Sequence, residues 1–283
     1  MKILVIGPGR IGSAFAFHLS LAGHDVSVLA RGARLETLLR QGAIVATDGR
    51  RAEIQVLQAI DATTPYELVM VTVLAHQVDS LLPMLRASAA KWVLFLFNTF
   101  DSTQGWRDAV GAERFAFGFP NMVAYLEDDR LRSVVNGPGM VTTMTSPHLA
   151  DVFKQAGLPT EVEGDIDSWL RSHVAFVVPL MVAAQWTWQR SKPLTWAEAR
   201  RLVRALNEGM ALVRALGHAV KPRFVAFFER LPTPLLTGLF WAFSRTASVR
   251  DMGAFGPGEV RSLIDAMAIA GPNRTDAIQS IRP

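Results

Sequence analysis

Short apolar runs alternate with amphipathic stretches through the first half of the chain. Compact apolar runs bounded by turn residues are typical of buried parallel strands, whereas apolar residues spaced three and four apart indicate helices. The pattern predicts strands at residues 2–6, 26–29, 43–47, 53–57, 68–72, 93–97, 115–119, 132–135, 140–144 and 160–162. It predicts helices between them at residues 10–22, 35–40, 76–89 and 147–157. This alternation predicts a doubly wound, mostly parallel sheet.

The second half of the chain shows helical periodicity without strand signals. Helices are predicted at residues 167–190, 195–216, 235–243 and 258–268, with a further turn at 276–281. Thr195 and Glu198 have the spacing of a capping box at the start of the second of these helices. The pattern therefore predicts two domains, an α/β domain over residues 1–164 and an all-α domain over residues 165–283.

A glycine-rich turn joins the first predicted strand to the first predicted helix, and it reads Gly7-Pro8-Gly9-Arg10-Ile11-Gly12. Gly7 allows a tight turn, Gly9 lets the backbone approach a diphosphate, and Gly12 lets the helix pack closely on the strand. The anion would lie at the positive N-terminal end of the helix. The unit is typical of a dinucleotide-binding Rossmann domain, and all six residues are predicted to bind the cofactor. A glycine-rich turn that binds no nucleotide is the alternative.

The end of the second predicted strand indicates which dinucleotide is bound. A site that prefers NAD carries an acidic residue there, which holds the ribose 2′-hydroxyl group. This chain instead has Arg31 and Arg34 in the segment Ala30-Arg31-Gly32-Ala33-Arg34. A guanidinium group pairs with a 2′-phosphate, so the predicted cofactor is NADP(H), with Arg31 as the binding residue. The alternative is that both arginines are ordinary solvated side chains.

Two polar residues stand at the carboxyl ends of predicted strands. Thr72 is the last residue of the strand over residues 68–72, and Asn98 follows the strand over residues 93–97. Ligands of doubly wound sheets bind at this edge. Thr72 and Asn98 are therefore predicted to contact the cofactor. For Asn98, an ordinary turn residue is the alternative interpretation.

Composition limits the classes of function. The chain has 283 residues, of which 50% are hydrophobic and 19% charged, as expected of a folded protein. It contains no cysteine, which excludes disulfides, thiolate catalysis and cysteine-based metal sites, and no metal site is predicted. The apolar segment 174–184 is too short to span a bilayer, and the first apolar run is a strand rather than a signal peptide. A cytoplasmic protein without membrane association is therefore predicted.

The net charge of +4 and the isoelectric point near 9.8 raise the question of nucleic-acid binding. The 29 Lys and Arg residues are spread along the chain without a recognition motif. No nucleic-acid partner is therefore predicted. A basic cleft for an anionic cofactor and a small-molecule substrate accounts for part of the charge.

Several of these features together resemble the ketopantoate reductases, and the resemblance covers nearly the whole chain. They are the Lys-Ile-Leu-Val-Ile-Gly-x-Gly-x-Ile-Gly start, Ala30-Arg31, Gln77-Val78, Asn98 and Trp169. The resemblance implies an NADP-dependent oxidoreductase similar to 2-dehydropantoate 2-reductase. Such an enzyme would reduce a 2-keto acid, or a related carbonyl or imine, by hydride transfer in an interdomain cleft. It also implies that Gln77 belongs to the cofactor site.

The resemblance also exposes departures from the family pattern. In the family, a catalytic lysine follows the tryptophan by two residues, and this position is Arg171 here. Two family asparagines align with Ala175 and Pro179, and a cleft lysine aligns with Leu74. The true substrate therefore need not be ketopantoate.

The resemblance implies roles for the residues that remain. Arg171, Glu259 and Asn98 are the predicted catalytic residues. Because arginine is a poor proton donor near neutrality, Arg171 is expected to orient a carboxylate or stabilise oxyanion charge, with the proton coming from water or Glu259. Arg171, Ser248 and Glu259 are the predicted substrate-binding residues, and Ser244 is a weaker candidate. A first-turn carboxylate that serves the helix dipole is the alternative for Glu259.

Two further alternatives stay open. The replaced family positions are also compatible with a catalytically silent NADP(H)-binding sensor or regulatory protein. His173 lies on a different helical face from Arg171 and is expected to be a core or surface histidine. The apolar segments 174–184 and 235–243 could pack on each other or form the face of a homodimer.

Overall fold

The protein is described by a computed structural model covering residues 1–137, 139–246, 249 and 257–283. The chain divides into two compact units. The first contains Met1–Asn98 and Thr103–Ile166, and the second contains Thr99–Ser102 and Asp167–Pro283. The short segment Thr99–Ser102 therefore belongs with the helices that follow, although the chain around it forms the first unit.

The first unit is built on an eight-stranded sheet. Its strands are β1 (Lys2–Ile6), β2 (Asp25–Leu29), β5 (Gln55–Leu57), β6 (Leu68–Val71), β7 (Trp92–Leu96), β8 (Phe115–Phe119), β11 (Thr142–Met144) and β12 (Thr160–Val162). Their order in the sheet is β12-β11-β8-β7-β6-β1-β2-β5. All neighbours pair in parallel except β11 with β8. The six strands from β5 to β8 have the order of a dinucleotide-binding fold, which confirms the predicted Rossmann topology.

The central strands of this sheet are apolar along their whole length because helices cover both faces. The helices of the first unit are α1 (Arg10–Leu21), α2 (Gly32–Gln41), α3 (Leu82–Ala87), α4 (Gln104–Val110) and α5 (Pro147–Gln155). The side chains of β1 and β6 are almost completely buried. This burial fixes the register of β1 and so the position of the glycine-rich turn that follows it.

Two small hairpins accompany the sheet. β3 (Ala43–Val45) pairs with β4 (Arg51–Glu53), and β9 (Val123–Glu127) pairs with β10 (Arg130–Val134). The prediction of one strand over residues 53–57 is wrong, because the chain changes sheet at Ile54. The prediction of one helix over residues 76–89 is also wrong. Two 3₁₀ turns, Ala75–Gln77 and Asp79–Leu81, precede the short α3.

The second unit is helical. Its helices are α6 (Ile166–Arg190), α7 (Trp196–Ala215), α8 (Arg223–Glu229), α9 (Thr233–Phe243), α10 (Pro257–Ala270) and α11 (Asp276–Ser280). The predicted capping box is confirmed at the start of α7. The Glu198 backbone N–H donates to Thr195 Oγ1 over 3.3 Å, and the Thr195 N–H donates to Glu198 Oε2 over 2.8 Å.

The central helix α6 has 25 residues and is long and apolar enough to cross a membrane. The prediction that the apolar segment 174–184 is too short to span a bilayer is corrected, because this segment is only part of α6. However, 61% of its most apolar window is buried within the structure, as in the core helix of a soluble protein. Val174, Val178 and Val182 point into a core shared with α7, α9 and α10.

Candidate cofactor and substrate sites

The glycine-rich turn after β1 is packed so tightly that two of its glycines cannot carry a side chain. Gly7 has a left-handed backbone with φ +84°, and an added Cβ would lie 2.5 Å from Val73 Cγ1. A Cβ on Gly12 would overlap the Thr72 hydroxyl and lie 2.5 Å from the carbonyl oxygen of Gly7. Local packing therefore requires glycine at both positions.

Thr72 lies directly beneath this turn. Its hydroxyl group is placed to donate to the carbonyl oxygens of Ile6, at 3.0 Å, and Gly7, at 2.9 Å. The side chain thus holds the turn against the end of β6. Its hydroxyl proton serves the protein backbone, so what Thr72 contributes to a cofactor site is the shape of the turn.

Gly9 differs from the other two glycines. It is exposed, and the nearest atom to an added Cβ is the Gly7 carbonyl oxygen at 4.0 Å. Gly9 is the N-cap of α1, and no side chain in the described ranges caps this helix. The first-turn N–H groups, which begin at Arg10 and Ile11, can therefore face a bound anion. These features fit the diphosphate of a dinucleotide.

The two arginines after β2 have different environments. Arg31 is exposed at the N-cap of α2 and forms no hydrogen bond or ion pair with the residues that the structure describes. Arg34 is partly buried and donates from Nε to the Pro8 carbonyl oxygen over 3.0 Å and from Nη2 to Ser13 Oγ over 2.9 Å. The alternative of an ordinary solvated arginine is therefore wrong for Arg34.

Asn98 follows the end of β7 by two residues. Its side-chain oxygen Oδ1 is buried and has no hydrogen-bond partner within residues 1–137 or the other described ranges. An unsatisfied buried acceptor costs ~1–3 kcal/mol. A ligand N–H or O–H group would remove this cost. Gln77, in contrast, uses its side-chain oxygen to accept the Leu74 backbone N–H at 3.2 Å.

Within the second unit, Arg171 is a buried cation on α6. It is 9% exposed, and its Nε and Nη1 atoms are buried without hydrogen-bond partners among the described residues. Asp167 Oδ2 lies 3.6 Å from Nη1, which is an ion-pair distance. The same carboxylate oxygen accepts a hydrogen bond from Ser102 Oγ at 3.0 Å. The Phe100 ring centroid lies 5.8 Å from the guanidinium carbon, within cation–π range.

Residues 3–144 match the family model described as ketopantoate reductase PanE/ApbA. This match covers half of the chain and decides the assignment. The chain belongs to the ketopantoate reductase PanE/ApbA family. The resemblance seen in the sequence is thereby confirmed.

Two curated relatives are named 2-dehydropantoate 2-reductase. The chain is 26% identical over 186 residues to the protein from Vibrio cholerae serotype O1, and 25% identical over 181 residues to the one from Pyrococcus horikoshii. Each match covers 60% of this chain and 58% of the relative. The chain thus matches less than two thirds of the length of these relatives.

Solved structures share the fold over the whole chain. The 2-dehydropantoate 2-reductase from Geobacter metallireducens GS-15 has a TM-score of 0.73 at 17% identity, covering 100% of this chain and 98% of that one. D-mandelate dehydrogenase in complex with NADH has a TM-score of 0.72 at 15% identity, covering 100% and 97%. At these identities the comparison establishes the architecture.

The structure describes the residues at which the resemblance implies a different family residue. Ala175, where the resemblance implies the first asparagine, is 1% exposed. A Cβ added to Gly209 of α7 would lie 3.0 Å from the Ala175 Cβ, so the two helices approach closely at this point. Pro179 lies within α6, and Leu74 is 44% exposed. The alanine thus serves helix packing.

The remaining predicted substrate residues lie toward the end of the chain. Glu259 stands in the first turn of α10 and is partly buried. Ser248 lies outside the described residues. Ser244 is buried, and its hydroxyl group accepts the Leu194 N–H at 3.0 Å and donates to the Trp241 carbonyl oxygen at 2.7 Å. Ser244 therefore has a structural use in joining α9 to the chain before α7.

His173 lies two residues from Arg171 and stacks on Trp169, with ring centroids 5.0 Å apart and an interplanar angle of 9°. Burial lowers the pKa of His173 to about 3, so the ring is neutral at physiological pH. A spacing of two residues turns it roughly 200° around α6 from Arg171.

Proposed function

We propose that this protein is an NADPH-dependent reductase that acts on a 2-keto acid or a related carbonyl or imine. The observation that carries the proposal is the exposed Gly9 at the uncapped start of α1. A diphosphate would bind there through backbone N–H groups. Membership in the ketopantoate reductase family supports a carbonyl reduction as the chemistry.

Recognition of the phosphorylated cofactor is assigned to Arg31. Its guanidinium group is exposed and has no partner among the residues described, so a 2′-phosphate can pair with it. Asn98 is assigned to orientation of the cofactor or substrate, because its buried Oδ1 can accept a hydrogen bond from either. When bound, NADPH would supply the hydride.

Arg171 is assigned to the substrate. Its Nε and Nη1 atoms are buried without hydrogen-bond partners among the described residues, and the Asp167 carboxylate lies at an ion-pair distance from Nη1. A guanidinium group can pair with a substrate carboxylate, and a fixed cation also stabilises negative charge that develops on a carbonyl oxygen. The guanidinium group keeps its proton near neutral pH, so it does not act as the acid. Water and Glu259 are the two candidate proton sources.

The cofactor assignment is tested by nicotinamide fluorescence during titration with NADPH and NADH. The wild-type chain is expected to bind NADPH more tightly than NADH. Arg31→Ala is expected to weaken NADPH binding ~10–100-fold and to leave NADH binding unchanged, because the lost contacts are charge-assisted. Arg40→Ala, on the exposed side of the same helix, is the matched control and should bind both like the wild type.

A catalytically silent NADP(H)-binding protein is the second candidate. The observation in its favour is that Ala175 packs against Gly209 where the family has a functional asparagine. The two candidates are separated by turnover. Oxidation of NADPH with any member of a panel of 2-keto acids and imines supports the reductase, whereas binding without turnover supports the silent protein. Gain of ketopantoate reduction in Arg171→Lys would confirm the assigned alignment.

A homodimer and a cytoplasmic location are further proposals. One structural neighbour is the dimeric ketopantoate reductase from Staphylococcus aureus, with a TM-score of 0.67 at 11% identity, covering 100% of this chain and 98% of that one. On α9, Leu235 and Leu239 are 51% and 42% exposed. A second copy would cover such an apolar face. Sedimentation velocity measures the mass in solution directly.

A further inference from the structure

Arg34 links α2 to the glycine-rich turn, called the diphosphate turn below, and to the start of α1. The side chain begins on α2 and reaches the Pro8 carbonyl oxygen, at 3.0 Å from Nε, and the Ser13 hydroxyl group, at 2.9 Å from Nη2. Ser13 Oγ in turn donates to the same Pro8 carbonyl oxygen over 2.9 Å. The three groups form a closed triangle of hydrogen bonds at the start of α1.

The triangle holds one peptide plane of the turn. The carbonyl oxygen of Pro8 and the N–H group of Gly9 belong to the same planar peptide unit. Its oxygen accepts from Arg34 and Ser13, while its N–H group donates to the Gly7 carbonyl oxygen over 2.7 Å. The unit is therefore fixed at both ends, although Gly9 on its C-terminal side has the conformational freedom of glycine.

Fixing this plane in advance favours ligand binding. A flexible turn would lose conformational entropy when a diphosphate ordered it, and a turn that is already ordered avoids that loss. Ser13 is completely buried, so its hydrogen bond to the Pro8 carbonyl oxygen is shielded from competing water.

The charge of Arg34 also remains beside the turn. Its Nη1 atom is buried without a hydrogen-bond partner among the described residues. Burial lowers the pKa of Arg34, and the nearby Asp129 carboxylate opposes this shift. Asp129 accepts a hydrogen bond from Thr37 Oγ1 at 3.1 Å rather than one from Arg34. A guanidinium group without a bonded counterion adds positive potential at an anion site.

We propose that Arg34 is a positioning residue for the diphosphate turn, and that it supports NADPH and NADH equally, whereas Arg31 alone distinguishes the 2′-phosphate. This inference rests on the proposed function, because it requires that the turn binds a dinucleotide. The rival assignment is that Arg34 itself contacts the 2′-phosphate.

The test compares Arg34→Ala with the wild type by titration with NADPH and with NADH. The variant is expected to lose about tenfold in affinity for each cofactor, because the diphosphate is common to both. Loss of affinity for NADPH alone, or for neither, would overturn the inference. Arg34→Lys is expected not to restore binding, because a single ammonium group cannot reproduce the guanidinium fork.

Ser13→Ala tests the same triangle with a smaller change, and it serves if Arg34→Ala fails to fold. This variant is expected to lower the affinity for each of the two cofactors about threefold. A second measurement is amide hydrogen exchange at Gly9, which should become faster in both variants, while exchange in the core of β1 is unchanged. Unaltered exchange at Gly9 would contradict the proposal that the hydrogen-bonded triangle holds this peptide unit in place. Arg40→Ala is again the matched control and should leave affinity and exchange unchanged.

Different results would contradict the proposed function and the role assigned to Arg34. If the wild-type chain binds neither NADPH nor NADH, the proposed function is wrong. If it binds NADPH with Arg31 required, and Arg34→Ala reduces NADPH affinity alone, the proposed function stands and the role assigned to Arg34 is wrong.

Discussion

The candidate cofactor site in the first unit is shaped by the backbone, whereas the candidate substrate site in the second unit consists of a few side chains on helices. Gly7 and Gly12 are held against Val73 and Thr72 so closely that a single added methyl group would collide. Around Arg171, by contrast, other side chains could be accommodated by the same helix. α6 would remain a helix with lysine at this position.

This difference gives a physical reason why the part of the chain that matches the family model, residues 3–144, includes the glycine-rich turn. A turn that binds diphosphate through backbone groups tolerates few sequences, because its conformation depends on glycine at defined places. A substrate site made of individual side chains can change chemistry without changing the fold. The resemblance to the family implies a lysine at Arg171 and an asparagine at Ala175, and α6 runs without a break through both positions. In this comparison the candidate cofactor site is the constrained half and the candidate substrate site is the adaptable half.

The strongest test of the adaptable half is Arg171→Ala. If the guanidinium group binds the substrate carboxylate, kcat/KM with the best 2-keto acid should fall about 100-fold, which corresponds to ~2.7 kcal/mol. NADPH affinity should be unchanged, because the contacts assigned to the cofactor lie elsewhere. Arg200→Ala, at an exposed arginine, should retain activity. A variant with full activity would remove Arg171 from the substrate site.

The constrained half is tested by adding one methyl group at each of two glycines. Gly12→Ala should lower the free energy of unfolding by about 1–3 kcal/mol, because its Cβ meets backbone atoms that cannot move aside. Gly9→Ala should keep its stability within about 0.5 kcal/mol and lose cofactor affinity instead. Urea unfolding and NADPH titration separate the two effects.

Gly105→Ala provides the control for this pair, because a Cβ there meets open space. Its stability should be equal to or above that of the wild type. If Gly12→Ala were as stable as this control, the close approach of α1 to Gly7 and Thr72 would not be the reason for glycine at position 12.

A third test asks whether the family asparagine can simply be restored. Ala175→Asn should destabilise the helical unit by about 1–3 kcal/mol, because the side chain is buried at the crossing with Gly209. Ala211→Asn, on the exposed face of α7, carries the same change in helix propensity and should cost less than 1 kcal/mol. Equal costs, measured by urea unfolding, would contradict tight packing at residue 175.

A further expected effect, which builds up gradually with pH, is a pH dependence of stability from His173. Its pKa is lowered to about 3 by burial, so between that value and the ordinary 6.5 the unfolded chain binds a proton that the native chain does not. Stability should therefore fall as the pH decreases from 6.5 towards 3, by at most ~1.4 kcal/mol per pH unit. His173→Phe keeps a ring on Trp169 and should flatten this slope.

Urea unfolding at several pH values between 7.5 and 4.5 measures the slope. A change at the exposed His76, such as His76→Gln, should leave it unaltered. If His173→Phe kept the slope of the wild type, other groups would be responsible for the acid sensitivity.

Much of the fold can be predicted from the sequence because its strands are short apolar runs with clear ends. The strand predicted over residues 132–135 overlaps β10, but β9 and the hairpin pairing were not predicted. The turn places Asp128 and Asp129 in left-handed conformations instead of using the usual Asn-Gly pair. α8 was missed because it is short and follows Pro222 directly. The division at Ile54 depends on which sheet each half joins, and local pattern does not contain that information.

The candidate site shows the same limit. The glycine turn is identified by spacing alone, since its chemistry lies in the backbone. That Arg34 binds the turn while Arg31 remains exposed could not be seen in the sequence, because the two arginines stand three residues apart in one segment. The unpartnered Oδ1 of Asn98 likewise depends on what surrounds it in the folded chain.

Isothermal titration calorimetry of the purified chain with NADPH and with NADH tests the assigned cofactor most directly. One site per chain is expected, with an affinity for NADPH about 10–100 times higher than that for NADH, because Arg31 pairs with the additional phosphate. Binding of neither dinucleotide, or tighter binding of NADH than of NADPH, would contradict the assignment.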